Sequence, residues 1–429
     1  MEKDFEKKLR RVQIANRVFT PATPISRKAL FAGRHEQLTR AVGLMSQPGR
    51  HGMVFGERGV GKTSLVSVLH YFYPAATPEE ATRVLTARVN ANADHTFDVL
   101  WQEIFGKIPL MQESDAPAGF TGKSSTVVAS YADMLGQERV TPNVVQTLLN
   151  HAAARNTALV VVIDEFDRVE NSDIKRLMAD TIKALSDHTV SATLILVGVA
   201  DTVEQLIGEH QSIRRALEQI HMPRMSDAEI KEILTSGISA FNLLCKDFQL
   251  SMNDEAKELV GFFSRGIPSF AHLLGRHSLL EAIETEESKI EEDQVFQSLA
   301  KALQSVEHST RAAYQKATGS AHKSNLYRQV LTACALSNGD DLGFFAAGDV
   351  REPLRLIMKR PMEIYNFINH LNEFCAEKRG PVLQRKGEPR NYRFRFIDPM
   401  MESYVVMRGY ADSIVPVPSG ESSANQESV

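Results

Sequence analysis

Apolar residues come in short blocks separated by polar turns, and their spacing changes along the chain. The segment His51-Gly52-Met53-Val54-Phe55 has the pattern of a short buried strand; a glycine-rich turn and an apolar helix from Lys62 to about Tyr71 follow. Residues 82–90 alternate in the β manner, with Val84, Thr86 and Val89. Residues 159–163 and 194–199 are unbroken runs of β-type side chains, the pattern of parallel strands covered on both faces. Helical spacing lies between the strands. Phe97, Leu100, Trp101 and Phe105 mark a helix within 94–108, and Thr141-Pro142 starts another with a Thr cap and Pro at the first helical position. Residues 30–44 read as a helix beginning around Phe31-Ala32-Gly33-Arg34. The first twenty residues are charged and helical in pattern, and the link Thr20-Pro21-Ala22-Thr23-Pro24 cannot continue a helix. Strands alternating with helices predict an α/β core with a parallel sheet. The polar stretch 109–123, with Pro and Gly, is expected to be an insertion or mobile loop.

The pattern changes at Ser226. Ser226-Asp227-Ala228-Glu229 resembles a capping box, and Asn253, Pro268 and Glu291-Glu292-Asp293 open further helices, so 226–306 is expected to be all-helical. A polar joint is expected over 309–323. Helical patterns follow at about 323–336, 349–359 and 361–376, then two strands at 381–385 and 392–397 around Lys386-Gly387-Glu388-Pro389-Arg390. No internal repeat is evident. The Ser/Pro-rich, acidic end from 413 is expected to be disordered. The expected division is 1–24 helix and linker, 25–225 α/β core, 226–306 helical domain, 320–410 a third domain and 411–429 tail.

Composition narrows the class. With 43% hydrophobic and 24% charged residues over 429 positions, each domain can bury a core, which excludes wholesale disorder and a disulfide-knotted mini-protein. Cys245, Cys334 and Cys375 are odd in number and widely spaced, fitting reduced thiols. The thirteen histidines form no HExxH-like cluster, so a metal held by side chains alone is not expected. No run reaches the roughly 18 apolar residues of a membrane span, and the charged start Met1-Glu2-Lys3-Asp4 leads into no signal-peptide core; a cytoplasmic protein without membrane contact is expected. Net charge is −4, yet residues 320–410 carry 14 basic and 10 acidic side chains, a mildly basic module on an acidic body.

The strongest chemical signal is Gly56-Glu57-Arg58-Gly59-Val60-Gly61-Lys62-Thr63, followed by Ser64. It fits GxxxxGK[ST] between a strand and a helix, the context in which glycines let backbone N–H groups curl around a phosphate chain. Lys62 would neutralise the β/γ-phosphates of ATP, and the Thr63 hydroxyl would ligate Mg²⁺. The second signal is Asp164-Glu165 at the carboxyl end of a central strand, where α/β sheets place their ligands. Asp164 would hold Mg²⁺ directly or through water, and Glu165 would orient or deprotonate the attacking water. Asp167 reads as a solvated or structural acid.

The phosphate loop, the Asp164-Glu165 pair and the helical segment after the core resemble an AAA+ ATPase, and more narrowly the replication-initiator branch, the origin-recognition proteins, and the related transposition regulators. The resemblance implies an α/β P-loop NTPase core with a parallel sheet and a helical lid. Phe31-Ala32-Gly33-Arg34 is similar to the branch's opening motif. Leu196-Val197-Gly198-Val199-Ala200-Asp201 is similar to the strand ending in its sensor-1 residue; Asp201 stands where Asn is commoner, and Thr202 is an alternative. Ser212-Ile213-Arg214-Arg215-Ala216-Leu217 is similar to the segment carrying the arginine finger, with Arg215 first and Arg214 second; a basic helix face in water is the competing reading. A finger supplied by a neighbouring subunit implies a homo-oligomer. Gly266-Ile267-Pro268-Ser269 puts Ser269 where the branch often has the sensor-2 arginine, and Arg276 lies two turns later.

Three helices and a hairpin are in winged-helix order, the C-terminal domain the resemblance also implies. Candidate DNA-contacting residues are Arg385, Lys386, Arg390, Arg393 and Arg395; Tyr392, Phe394 and Phe396 alternate with the arginines, so period two separates an aromatic face from a basic one. The helix at 361–375 offers mostly apolar or neutral residues: Ile364, Tyr365, Phe367, Ile368, Asn369 and Leu371. Two main readings stay open, beside a third of a nucleotide-binding protein that barely hydrolyses. One is an oligomeric, double-stranded-DNA-associated ATPase switch or loader, serving replication, transposition or mobile-element or antiviral defence. The other is a nucleotide-gated scaffold or regulator gripping an effector protein.

Overall fold

A computed structural model describes residues 2–73, 83–110, 129–135, 139–153, 157–201, 213, 215–320, 325–340, 342–388 and 391–415. The chain divides into two compact units, one of Met1–Gly33, Glu57–Gly61 and Pro223–Val429, the other of Arg34–Gly56 and Lys62–Met222. In chain order, α1 is Glu2–Val18, α2 His35–Met45, β1 His51–Gly56, α3 Lys62–Val68, β2 Arg83–Asn90, α4 Phe97–Gly106, α5 Pro142–Ala153, β3 Thr157–Asp164, α6 Ser172–Asp187, β4 Ala192–Val199 and β5 Leu217–His221. They are followed by α7 Asp227–Leu244, α8 Asp254–Ser264, α9 Pro268–Thr285, α10 Glu292–Ser305, α11 His308–Thr318 and α12 Tyr327–Leu336. Last come β6 Phe345–Ala346, α13 Ala347–Met358, α14 Ile364–Phe374, β7 Leu383–Lys386, β8 Arg393–Phe396 and α15 Pro399–Ala411.

The α/β unit is built on a five-stranded parallel sheet in the order β2-β3-β4-β1-β5. The expected strands are present, and β5 joins them on the outer side of β1. Its Leu217-Glu218-Gln219-Ile220-His221 has no apolar run to mark it; pairing with β1 makes it a strand. The apolar helix expected to reach Tyr71 ends at Val68 and tightens into a 3₁₀ turn at Leu69–Tyr71, and the helix expected from residue 30 starts at His35. Met53, Phe55, Trp101, Phe105, Val161, Ile163 and Leu196 belong to one core cluster. Pro109–Leu110 pairs with Ala129–Ser130, while 111–128, most of the expected loop, lies outside the described residues.

The other unit is mainly helical. The predicted capping box is made: Ser226 Oγ accepts from Glu229 N, and Glu229 Oε2 accepts from Ser226 N at 2.9 Å. Asn253 caps α8 and Pro268 opens α9. α1 packs on α7 and α9, where Phe19 fills a slot left by Gly237 and Gly275; a Cβ at Gly237 would run into its ring. Burying a phenylalanine in this way contributes about 1.5–3 kcal/mol. β6, β8 and β7 form an antiparallel sheet in that order, with α12, α13 and α14 before the hairpin.

Two expectations are corrected here. The joint at 309–323 contains helix α11, whose sparse stripe of Thr310, Tyr314 and Ala317 becomes helical by burial rather than by composition. Beyond the hairpin lies a further helix, α15, started by an Asp398 cap and Pro399. Nine of its thirteen residues are buried, around most of the helix, so it has little amphipathic period to read. The expected disordered tail falls almost wholly in 416–429, outside the described residues. Among the described residues no helix is long and apolar enough to cross a membrane.

Candidate nucleotide-binding site

β1 is buried along its length between β4 and β5 and delivers the chain into the glycine loop. His51, at its start, accepts a hydrogen bond from Leu194 N at Nδ1; burial pushes its pKa down to about 4, so the ring is a neutral part of the core. Gly59 (φ +86°) and Gly61 (φ +95°) take left-handed backbone that a Cβ would disfavour, which lets the loop turn tightly before α3. Lys62, the first residue of α3, is buried, and its Nζ donates to Gly56 O at 3.0 Å. Ser64 follows on the same first turn.

Next on α3, Thr63 Oγ1 donates to Asp164 Oδ2 at 2.8 Å. This contact joins the two sequence signals, 101 residues apart. Asp164 is buried, and its Oδ1 accepts from Glu165 N at 2.9 Å. Glu165 sits at φ +56°, ψ +33°, a left-handed conformation costing a non-glycine residue about 1–3 kcal/mol. Its half-exposed carboxylate pairs with Arg168 at 2.9 Å. Asp167 Oδ1 accepts from Val199 N at 2.8 Å, a structural use of that acid.

The Thr63 hydroxyl and Asp164 carboxylate are hard oxygen donors. Such a pair suits Mg²⁺, which keeps several waters and completes its shell with phosphates. Among the described residues no group of three or more His, Cys, Asp or Glu is placed to hold a metal by itself.

Sequence reasoning misses two features. Arg88, on β2, donates from Nη2 to Asp164 Oδ2 at 2.8 Å; its only signal is a cation inside a largely apolar strand. Glu57 hides in a variable position of the loop motif. It accepts from Arg224 Nε at 2.7 Å, Arg224 pairs with Glu402 at 2.8 Å, and Glu402 pairs with Arg265 at 3.0 Å. Burial works to lower the Arg224 pKa, but the facing Glu402 and Glu57 carboxylates outweigh it and raise it.

The AAA domain family matches residues 45–207. The Aeropyrum pernix ORC2 protein, solved as ADPNP–ADP complexes, is 14% identical, with 92% of this chain and 98% of that chain covered and a TM-score of 0.50. The chain shares the fold of that protein. A Walker-type ATPase of Pyrococcus abyssi is similar at 16% identity, covering 90% of this chain and 99% of that one with a TM-score of 0.49. Cdc6p of Pyrobaculum aerophilum is similar at 14%, covering 93% and 99% with a TM-score of 0.43. No curated protein matches the sequence.

Asp201 lies two residues beyond β4 and is half-buried; Thr202 lies outside the described residues. Arg215 is exposed, with its backbone carbonyl held by Arg50 at 2.6 Å; Arg214 lies outside the described residues. Ser269 is in the first turn of α9, where a Cβ on Gly59 would come 3.8 Å from its Oγ. Arg276 instead donates to His277 Nε2 at 3.1 Å.

At the hairpin, Phe394 and Phe396 point inward, as period two predicts. Arg393 donates to Phe344 O at 2.8 Å and pairs with Asp340; Arg395 donates to Leu342 O at 3.2 Å and lies over the Phe344 ring. Both arginines therefore hold the loop before β6. Arg385 and Lys386 are exposed, with Arg385 Nη1 donating to Asn372 Oδ1 at 2.9 Å; Arg390 lies outside the described residues. On α14, Phe367 and Leu371 are buried, while Ile364, Tyr365 and Asn369 face outward.

Proposed function

We propose that this chain binds and hydrolyses ATP with Mg²⁺ and works as an oligomeric, DNA-associated molecular switch or loader. The observation that carries the reading is the 2.8 Å contact between Thr63 Oγ1 and Asp164 Oδ2, which brings the phosphate-loop hydroxyl to the strand-end carboxylate. Loop N–H groups and Lys62 would hold the phosphates, and Thr63 with Asp164 would hold the metal. Mg²⁺ in such a site neutralises charge developing on the transferred phosphoryl group. Glu165, released from Arg168, would orient the attacking water and accept its proton. Exposed Arg215, with Arg214, would serve a neighbouring subunit's nucleotide, and Asp201 would contribute near the γ-phosphate. The domain division is 1–24, 25–225, 226–306, 320–410 and 411–429, with 320–410 a winged helix contacting DNA through Arg385, Lys386 and Arg390, and with Arg393 and Arg395 supporting them.

The scaffold reading keeps a specific observation in its favour. Leu356, Ile364, Tyr365 and Ile397 are exposed in the same module, and apolar side chains suit a protein partner better than phosphates. Calorimetry with ADP, phosphate release and duplex-DNA mobility test both readings. Lys62→Ala is expected to abolish nucleotide uptake, and Glu165→Gln to keep uptake while losing turnover. Full uptake by Lys62→Ala refutes the nucleotide site. A stoichiometric protein partner with no DNA retained selects the scaffold.

A further inference from the structure

Arg88 is set on β2 opposite Val162 of β3, two residues before Asp164. Its guanidinium makes two ties. Nη2 donates to Asp164 Oδ2 at 2.8 Å, and Nη1 donates to Ser67 Oγ at 2.7 Å. Ser67 Oγ in turn donates to Thr63 O at 2.7 Å. Arg88 thus braces both residues of the metal-binding pair, the carboxylate directly and the threonine through one turn of α3. It does so on the same carboxylate oxygen that accepts from Thr63. The Asp164 side chain is only 5% exposed and that of Arg88 30%, so water screens this charge pair poorly.

We propose that Arg88 is a positioning residue that sets how tightly the Thr63–Asp164 pair takes up a divalent cation. The guanidinium fork fixes the carboxylate and partly neutralises it. A cation using Asp164 must share that oxygen with a fixed positive charge, so Arg88 lowers metal affinity while leaving the phosphate loop untouched. The inference rests on the nucleotide and metal reading above and deepens it. It gives the site a built-in requirement: metal enters well only with a nucleotide whose phosphates offset the Arg88 charge.

The test uses the full chain with Mn²⁺ as probe, free Mn²⁺ being followed by its electron paramagnetic resonance signal in saturating ADP. A parallel calorimetric titration of ADP in EDTA reads the loop alone. Arg88→Gln, which removes the charge and keeps a donor, is expected to tighten Mn²⁺ uptake about threefold or more, with metal-free ADP affinity within about twofold of wild type. Arg88→Lys, which keeps the charge, should stay near wild type in metal uptake. Unchanged or weaker Mn²⁺ uptake by folded Arg88→Gln overturns the proposal. If the Gln variant does not fold, Arg88→Met takes its place under the same criterion. If neither folds while Arg88→Lys does, Arg88 is purely structural and the proposal is overturned as well. Lys62→Ala separates the two layers. A wild-type chain that takes up no ADP in saturating Mn²⁺ sinks the nucleotide reading; Lys62-dependent ADP uptake without an Arg88 effect on the metal sinks this inference alone.

Discussion

Replacing Glu402 by leucine should unsettle the helical unit far more than an ordinary substitution of a surface acid. The Glu402 side chain is 8% exposed and faces two guanidiniums, Arg224 at 2.8 Å and Arg265 at 3.0 Å. Removing one partner of a buried ion pair costs about 3–5 kcal/mol, because the remaining charge stays desolvated. Two observations reduce that figure. Arg224 keeps Glu57 and Arg265 keeps the Ser337 carbonyl, and the two arginines are 24% and 21% exposed, so water repays part of the loss. The expected cost is about 2–3 kcal/mol, which at a urea m-value of about 2–3 kcal/mol/M moves the midpoint down by roughly 1 M. Far-UV circular dichroism in urea reads it. The double variant Glu402→Leu/Arg265→Met should recover about 1 kcal/mol, because it removes one stranded charge. A midpoint shift below about 0.2 M, or a double variant no better than the single, refutes the idea that these charges bind the loop residue Glu57 into the helical unit.

Three further outcomes are expected. Gly237→Ala forces a Cβ into the Phe19 ring and should cost about 1–3 kcal/mol in a thermal melt, partly relieved by Phe19→Leu; an unchanged melting temperature refutes the packing argument. His51, His272 and His277 are lowered by burial to about 4 from 6.5. The unfolded chain therefore takes up protons first, so the stability these rings allow is full above about pH 6.5 and falls as pH drops toward 4, by up to about 3 kcal/mol per ring. His272→Leu should lose less stability than wild type between pH 7.5 and 5, and parallel urea midpoints would contradict this. Arg385→Ala/Lys386→Ala should weaken duplex binding uniformly across sequences and lower the salt slope by about 2, read from affinities at several salt concentrations; an unchanged slope removes the hairpin from the DNA interface.

Much of the fold is written locally. The unbroken apolar runs that become β3 and β4, the Thr141-Pro142 start and the Ser226/Glu229 box need only neighbouring residues to specify them, because side-chain period and capping act within one turn or one strand. The loop ending in Lys62-Thr63 and the strand ending in Asp164-Glu165 are likewise legible, since a phosphate cradle and a strand-end carboxylate each occupy a short stretch of chain. Elements whose pattern is set by their neighbours are not legible. α15 is buried over most of its surface, β5 is a strand by virtue of its pairing with β1, and α11 carries too thin an apolar stripe. The same limit applies to chemistry. Sequence identifies the residue types and spacing of the phosphate loop, but Arg88 meets Asp164, and Arg224 meets Glu57 and Glu402, only across long sequence separations. Charge pairing acts through a few ångströms of space, and only tertiary structure decides which distant residues come that close.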